Sequence, residues 1–371
     1  MTDSETTETQ GSPTVVVRPA RPADAAAVTA FTQNTWGDRH EDYIPRVFPE
    51  WANTSDPGRE TLVATLTPDA IAERGPYGSA NSGREQGDTT VEGDGTGAAD
   101  PGDPEAVVGC IQGVLLSEWE AWGQGIRVDP VARGFGVGSA LSTAALEWAR
   151  EAGATVCRNM VFSWNIAGLG QSRAVGFEPA TEFRFAEPEP AAKTNPEANS
   201  TFRRIPDPDP NSAWAFWTDS DARDHLRGLA LDDEESWACS MLTRERLTIA
   251  ADAGRLLAVA DTDGRLAGMT VRTRVTEQAG DDDQTRVAVY GAAAWRDVAA
   301  AGALYNHIAA DAASEGADAT RVLIPETVTH VSDTGANRIS VAGEPDFVLS
   351  ADLTEEGSVH KRSAQQGSAE R

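Results

Sequence analysis

The residues with the most chemistry in this chain lie between Ile126 and Leu141, where Gly134, Gly136 and Gly138 alternate behind Arg133. Glycine reaches positive φ without a steric penalty, so successive backbone N–H groups can converge on a curved anion. The apolar positions Ala140, Leu141, Ala144, Ala145, Trp148 and Ala149 predict a helix directly after the loop. Its N-terminal amides and dipole would add positive potential at the same spot. A phosphate-bearing ligand is the chemistry this arrangement serves. The bland alternative is a glycine loop that only packs a helix against a sheet.

Three phosphate-binding designs compete for these residues. A Walker A loop ends in Gly-Lys-Ser/Thr, and no Lys occurs here. A dinucleotide fingerprint needs G-x-G-x-x-G on the tight end of a strand, whereas Gly134, Gly136 and Ser139 match it imperfectly and follow a connection. The third pattern, Q/R-x-x-G-x-G/A, is met at every position from Arg133 to Gly138. On that motif the region resembles the GCN5-related N-acetyltransferases, the GNAT family.

The resemblance implies a co-substrate, acetyl-CoA, with its pyrophosphate on the backbone of Arg133, Gly134, Phe135, Gly136, Val137, Gly138 and Ser139. It implies that the strand Ile126, Arg127, Val128 lends its backbone, chiefly at Ile126 and Val128, to the pantetheine arm. Those side chains are equally suited to a core. Asn165 matches the family asparagine that contacts the coenzyme, and it also suits a helix N-cap. The family then places a Tyr seven residues on as general acid toward the leaving thiolate. Here that position is Ser172, a departure, since a serine hydroxyl is shorter and far less acidic than a phenol. Tyr43 is a substitute from the acceptor side, or the thiolate leaves without a dedicated acid. For the base, Glu118 and Glu120 sit at the turn before the strand Ala121–Val128, beside Trp119 and Trp122. Together these four suit a cationic amine, and they equally suit an exposed acidic turn. Tyr43 and Trp51 lie on the segment that lines the acceptor cleft in the family, or form an apolar helical stripe.

The elements that must position these groups can be traced along the chain. Val15–Arg18 reads as a strand, Ala25, Val28 and Phe31 as a helix behind Pro22, and Leu62–Leu66 as the next strand. Residues 75–104 are polar, an insertion read as a mobile loop. Val107–Leu116 and Ala121–Val128 are strands that meet near residues 117–120. Thr155–Trp164 reads as a strand, Asn165–Val175 as a helix and Phe183–Phe185 as a closing strand. The polar segments 1–13 and 354–371 read as disordered tails. The prolines of 187–212 read as a linker between a catalytic domain at 14–186 and a second domain at 213–353. In that second part, helix from Thr218 on through His225, Leu226 and Leu229 is expected, then a hairpin about Asp263-Gly264. A strand Val287–Tyr290, a helix Ala299–Ala313 and a strand Arg321–Ile324 follow.

This second half is a hidden repeat. Aligned without a gap at an offset of 163, Gly153 falls on Gly316, Arg133 on Arg296 and Leu141 on Leu304. Gly134, Gly136 and Gly138 then meet Asp297, Ala299 and Ala301. The scaffold recurs without its cradle, and Asp297 sets negative charge where an anion should sit. The fold class expected is α/β, a tandem GNAT fold with a mixed central sheet and flanking helices in each half. The tandem layout is similar to that of histidine N-acetyltransferase-like proteins.

The 371 residues carry a net charge of −27 and just two lysines, Lys193 and Lys361. That balance predicts a halophilic archaeal source, a cytoplasmic protein, and no nucleic-acid partner, since no basic patch exists to neutralise phosphates. Cys110, Cys157 and Cys239 and the five histidines are dispersed, which predicts neither disulfides nor a metal site. No apolar run spans a membrane and the acidic start predicts no signal peptide. The functional expectation is acetyl transfer to a small amine or amino acid by a monomer or homodimer. Two alternatives stand beside it: an acetyl-CoA-binding sensor, or acylation of protein N-termini or lysines.

Overall fold

A computed structural model describes residues 15–33, 35, 42–67, 105–191, 201–279 and 284–354. The tails and the 75–104 insertion expected from the sequence lie outside the described residues, apart from Thr354. Packing divides the chain into two compact units, residues 1–157 with 353–371, and residues 158–352.

In the first unit four antiparallel strands follow one another: β1 (Val16–Pro19), β2 (Arg59–Leu66), β3 (Ala106–Leu115) and β4 (Glu120–Val128). The register sets Val63 opposite Cys110 and Cys110 opposite Arg127. Alternation then sends Leu62, Ala64, Val108 and Ile111 to one face and Val63 and Cys110 to the other. Helices α1 (Ala25–Thr32) and α2 (Ile44–Trp51) cover the Cys110 face through Val28, Ile44 and Phe48. Helix α3 (Val137–Glu151) covers the opposite face through Val137, Leu141 and Ala145. Two glycines of β3 let α3 come close. A Cβ at Gly109 would stand 2.9 Å from Val137 and 3.0 Å from Leu141, and one at Gly113 would stand 2.6 Å from Trp148.

Strand β5 (Val156–Phe162) leads into the second unit, followed by α4 (Ile166–Ala174) and β6 (Glu178–Glu187). Next come β7 (Arg203–Ile205), α5 (Pro210–Thr218), α6 (Asp221–His225), β8 (Leu229–Leu231), β9 (Cys239–Met241) and α7 (Arg244–Asp252). The chain continues as β10 (Leu256–Ala260), β11 (Leu266–Ala279), β12 (Gln284–Trp295), α8 (Val298–Ser314) and β13 (Ala319–Pro325). It closes with α9 (Val328–Ala336), β14 (Ser340–Val341) and β15 (Asp346–Asp352). The order β15-β6-β13-β12-β11-β10-β7 makes a mixed sheet, with β12 and β13 parallel and the other neighbours in that order antiparallel. Helix α8 rests on Ala186, Ala288, Tyr290, Val322 and Ile324.

The repeat has a structural counterpart. At the offset of 163, β5 superposes in sequence on β13 end for end, and α3 and α8 stop at the equivalent residues Glu151 and Ser314. Three expectations need correction. The helix from Ser220 stops at His225, because Arg227 and Gly228 take positive φ and the Gly228 N–H closes on Arg223 O at 2.8 Å. Residues 203–205 and 210–212, expected as linker, form β7 and the first turn of α5, since β7 pairs with the edge of β10. The packing boundary also precedes residue 186, because β6 hydrogen-bonds to β13 and β15. Among the described residues no helix is long and apolar enough to cross a membrane.

The seat of α3 makes a prediction. Gly109→Ala and Gly113→Ala should each lower stability by about 1–3 kcal/mol through overpacking. Gly170→Ala, on a helical glycine with nothing within 4 Å, should raise it by about 0.5–1 kcal/mol. Urea unfolding in concentrated salt checks both directions.

Candidate anion site and its degenerate echo

Strand β4 ends where Asp129 N–H donates to Val108 O at 2.8 Å. The Asp129 carboxylate then accepts from Val131 N–H at 3.0 Å and turns the chain through a single tight turn, Pro130–Ala132. Arg133 returns to extended backbone, and Gly134 and Gly136 follow at φ +83° and +82°. A side-chain-bearing residue at either position would cost about 1–2 kcal/mol. Gly136 is the N-cap of α3, so it brings no side-chain acceptor to the amides of the first turn. A Cβ there would meet nothing within 4 Å, so the space over the loop is open. Beneath the loop, Val137 and Leu141 are buried against Val108, Ile111 and Ala132, which fixes the direction of the helix axis. Arg133 is exposed and its guanidinium makes no ion pair among the described residues. Amides, a helix dipole and one uncommitted guanidinium form a donor set that fits a pyrophosphate.

The equivalent residues of the second unit have been filled from within. Asp297 is the N-cap of α8, and its Oδ1 accepts from Ala299 N–H at 3.1 Å and Ala300 N–H at 2.9 Å. Arg296 is drawn onto Asp261 at 3.1 Å. Asn337 donates to Val298 O at 2.9 Å, and a Cβ on Gly302 would collide with the same Asn337 side chain. Helix α9 is tied to its neighbours by Tyr305 to Thr334 (2.7 Å) and by Trp295 Nε1 to Asp333 (2.9 Å). The His330 ring lies 4.9 Å from that of Trp295. A carboxylate of the chain itself takes the place a phosphate would need.

Around β4 the remaining predicted residues have definite positions. Ile126 and Val128 are half-buried and pack on the α3 side of the sheet, with Phe135 beside them. Arg127 is committed elsewhere. Its Nε and Nη2 meet the Asp42 carboxylate at 2.7 and 3.0 Å, and both side chains are buried. The Arg127 side chain therefore serves the fold and not a coenzyme phosphate. Its guanidinium also lies 5.6 Å from the ring of Tyr43, which in turn stands edge-on to Trp51 at 6.2 Å. Tyr43 is thus held against β4 from the α2 side. The register of β3 and β4 slips at Gly125, which has φ +65°, and a Cβ there would press on Trp51 and Ile44. This bulge admits α2 onto the strand. Beyond it, Gln124 donates to Gln112 (2.9 Å), Gln112 to Thr61 (3.0 Å) and Thr61 to Trp51 O (3.1 Å).

Glu118 is exposed at the tip of the β3–β4 turn, and Glu120 is buried and accepts from Ser117 Oγ at 3.3 Å. Glu120 and Val128 are the two ends of the nine-residue strand β4, so the carboxylate lies roughly 26 Å along the strand from its glycine-loop end. In the second unit, Asn165 caps α4 by accepting from Gly168 N–H at 3.0 Å. Ser172 is buried and its Oγ accepts from Asn159 Nδ2 at 3.0 Å. Ser172 is therefore engaged in packing α4 onto β5. Sequence reasoning missed Asp42, Gln112 and Gln124. It also missed Gly109 and Gly113, for which a glycine inside a strand pattern was an available signal of close approach.

Residues 73–170 match the family model described as Acetyltransferase (GNAT) family. Among solved structures, a GCN5-related N-acetyltransferase from Sphaerobacter thermophilus is 14% identical, with 91% of this chain and 96% of that one covered and a TM-score of 0.53. The glucosamine N-acetyltransferase region of a fungal multi-domain GH3 β-N-acetylglucosaminidase is 13% identical, covering 92% of this chain and 38% of that one, also at 0.53. A tandem GNAT protein from the clavulanic acid biosynthesis pathway is 14% identical over 92% of this chain and 99% of its own, at 0.46. No curated protein matches the chain. The fold is the GNAT acyltransferase fold, and the matched segment contains β3, β4, the glycine loop and α3.

Two outcomes follow from the sealed second unit. Asp297→Ala should cost about 0.5–2 kcal/mol by uncapping α8, read by urea unfolding. Burial, with a smaller contribution from His225, pulls His330 down from 6.5 to about 4, against the nearby Asp333 and Asp221. The neutral ring is the folded form, so its contribution is complete above pH 6.5 and is lost as pH falls toward 4. Thermal unfolding of His330→Gln should therefore fall less steeply than wild type across that window.

Proposed function

We propose that the chain is an acetyl-CoA-dependent N-acetyltransferase acting on a small amine or amino acid, with one coenzyme site, in the first unit. The observation that carries this reading is the contrast between the two helix N-termini. Gly136 leaves that of α3 without a side-chain cap, and Asp297 fills that of α8. The Arg133–Ser139 segment would hold the pyrophosphate through backbone amides, with Arg133 adding a charge-assisted contact. The backbone of Ile126 and Val128 would align the pantetheine arm along β4. When bound, acetyl-CoA supplies an activated acetyl thioester.

The chain's own residues must then remove a proton from the acceptor ammonium and stabilise the departing thiolate. Glu120 lies on the α2-facing side of β4 by alternation with Trp122, which stands opposite Val114, and Glu118 projects at the adjoining tip. Both are base candidates, Glu120 through water. Tyr43, fixed beside β4, is the phenol available on the α2 side. Burial of Ser172 favours one second reading, an acetyl-CoA-binding sensor without turnover, because the usual acid position holds an engaged serine. The acidic, lysine-poor composition supports a cytoplasm of concentrated salt as the working environment.

A thiol-release assay over a panel of amines and amino acids tests the enzyme against the sensor. At least one acceptor should release CoA thiol, and Tyr43→Phe should lower that rate by about 10²–10⁴-fold if the phenol is the acid. With Glu120→Gln or Glu118→Gln, the base variant should lose the acidic limb of the pH–rate profile. Silence across the panel from a chain that still binds acetyl-CoA would favour the sensor.

A further inference from the structure

On the second unit, one face of the sheet carries a buried carboxylate, Asp346, and a half-buried guanidinium, Arg321, that do not meet. Arg321 stands on β13, and Asp346 begins β15; β6 runs between those strands with Phe183 and Phe185 on the same side. The register makes this explicit, since Asp346 is opposite Phe183 and Leu323 is opposite Phe185, two residues from Arg321. The Arg321 guanidinium lies 5.1 Å from the Trp237 ring and 6.0 Å from that of Phe185, and the two rings stand edge to face at 5.9 Å.

Asp346 is 8% exposed. Its carboxylate has no hydrogen bond or ion pair among the described residues, and neither does the Arg321 guanidinium. A buried carboxylate without a donor is costly to the fold, as is a guanidinium whose N–H fork faces no acceptor. Burial raises Asp346 to about 7, with Arg321 opposing and Glu344 assisting, and burial lowers Arg321, with Glu187 and Asp346 opposing. Glu187, across from Arg321 in the register, and Glu344, two residues before Asp346, act on the pair through space. The other paired arginines of this unit show what satisfaction looks like: Arg184 holds Glu326 through two contacts, and Arg246 makes contacts with Asp233, Ser240, Met241 O and Leu231 O.

Trp237 is held in an unusual way. Its backbone has φ +66°, a region that favours glycine, and the residue is 39% exposed while its ring lies over Arg321. The loop between β8 and β9 thus spends local strain to place an aromatic wall over a guanidinium.

We propose that Arg321, Asp346 and Trp237 form a binding site for a free α-amino acid, whose carboxylate pairs with Arg321 and whose ammonium pairs with Asp346. A simple carboxylate would satisfy Arg321 and leave Asp346 orphaned; a simple amine would do the reverse. A zwitterion satisfies both at once, and Trp237 with Phe185 provides an apolar wall for its side chain. The site stands on the second unit alone and does not depend on acetyl transfer.

The test uses the full chain in concentrated salt without acetyl-CoA. Thermal unfolding is followed with each of the standard L-amino acids, and the strongest stabiliser is titrated calorimetrically. That amino acid should bind saturably, and its des-amino acid and its decarboxylated amine should each bind at least tenfold more weakly to the wild type. Arg321→Met and Asp346→Asn should weaken it to the same degree. No stabilisation by any amino acid would overturn the proposal. So would analogues that bind as well as the parent, or folded variants that bind like wild type. Should the variants fail to fold, the analogue comparison on the wild-type chain decides.

Discussion

Whether a helix N-terminus is capped from within or left to an outside anion is the constraint on which the rest of this structure depends. The first-turn amides of any helix lack intrahelical acceptors. In α8 the chain answers that need with Asp297, and the result is a closed element that contributes only packing. In α3 the cap is Gly136, and the adjoining residues include an exposed arginine and a second left-handed glycine. At the offset of 163 Asp297 aligns with Gly134 and the cap Gly136 with Ala299, so the two copies of the scaffold differ both in the residue type at the cap and, by two positions, in where the helix begins.

The first unit is organised to aim that N-terminus. Gly109 and Gly113 remove side chains where Val137, Leu141 and Trp148 of α3 must lie, so the helix axis is set by van der Waals contact along β3. On the other face, the Asp42–Arg127 pair and the Gly125 bulge fix α2 against β4. Breaking that buried pair by removing one partner would leave a charge without compensation. The two faces of the sheet thus hold the bulge inside β4 and the glycine loop at its end in fixed relation along one strand.

Much of this was legible beforehand, for physical reasons. The short apolar runs Leu62–Leu66 and Val107–Leu116, the helical spacing from Ala140 to Ala149, and the glycine loop all write local rules directly into residue order. The offset repeat was readable because Gly153 and Gly316 both terminate helices at positive φ. What was not legible depended on distant partners. Asp42 acquires meaning only through Arg127, 85 positions on, and Ser172 only through Asn159 on a neighbouring strand. β7 is a three-residue strand with no pattern of its own length to announce it, and β15 takes its place by pairing with β6, far back in the chain. The helix that stopped at His225 turned on positive φ at Arg227, a residue type that seldom signals it.

The most direct measurement of the central claim is the stoichiometry of acetyl-CoA binding to the full chain by isothermal titration calorimetry in concentrated salt. The account predicts one site per chain, abolished by Gly136→Asp and retained in Asp297→Ala. Two sites, no binding by the wild type, or binding that survives Gly136→Asp would contradict it.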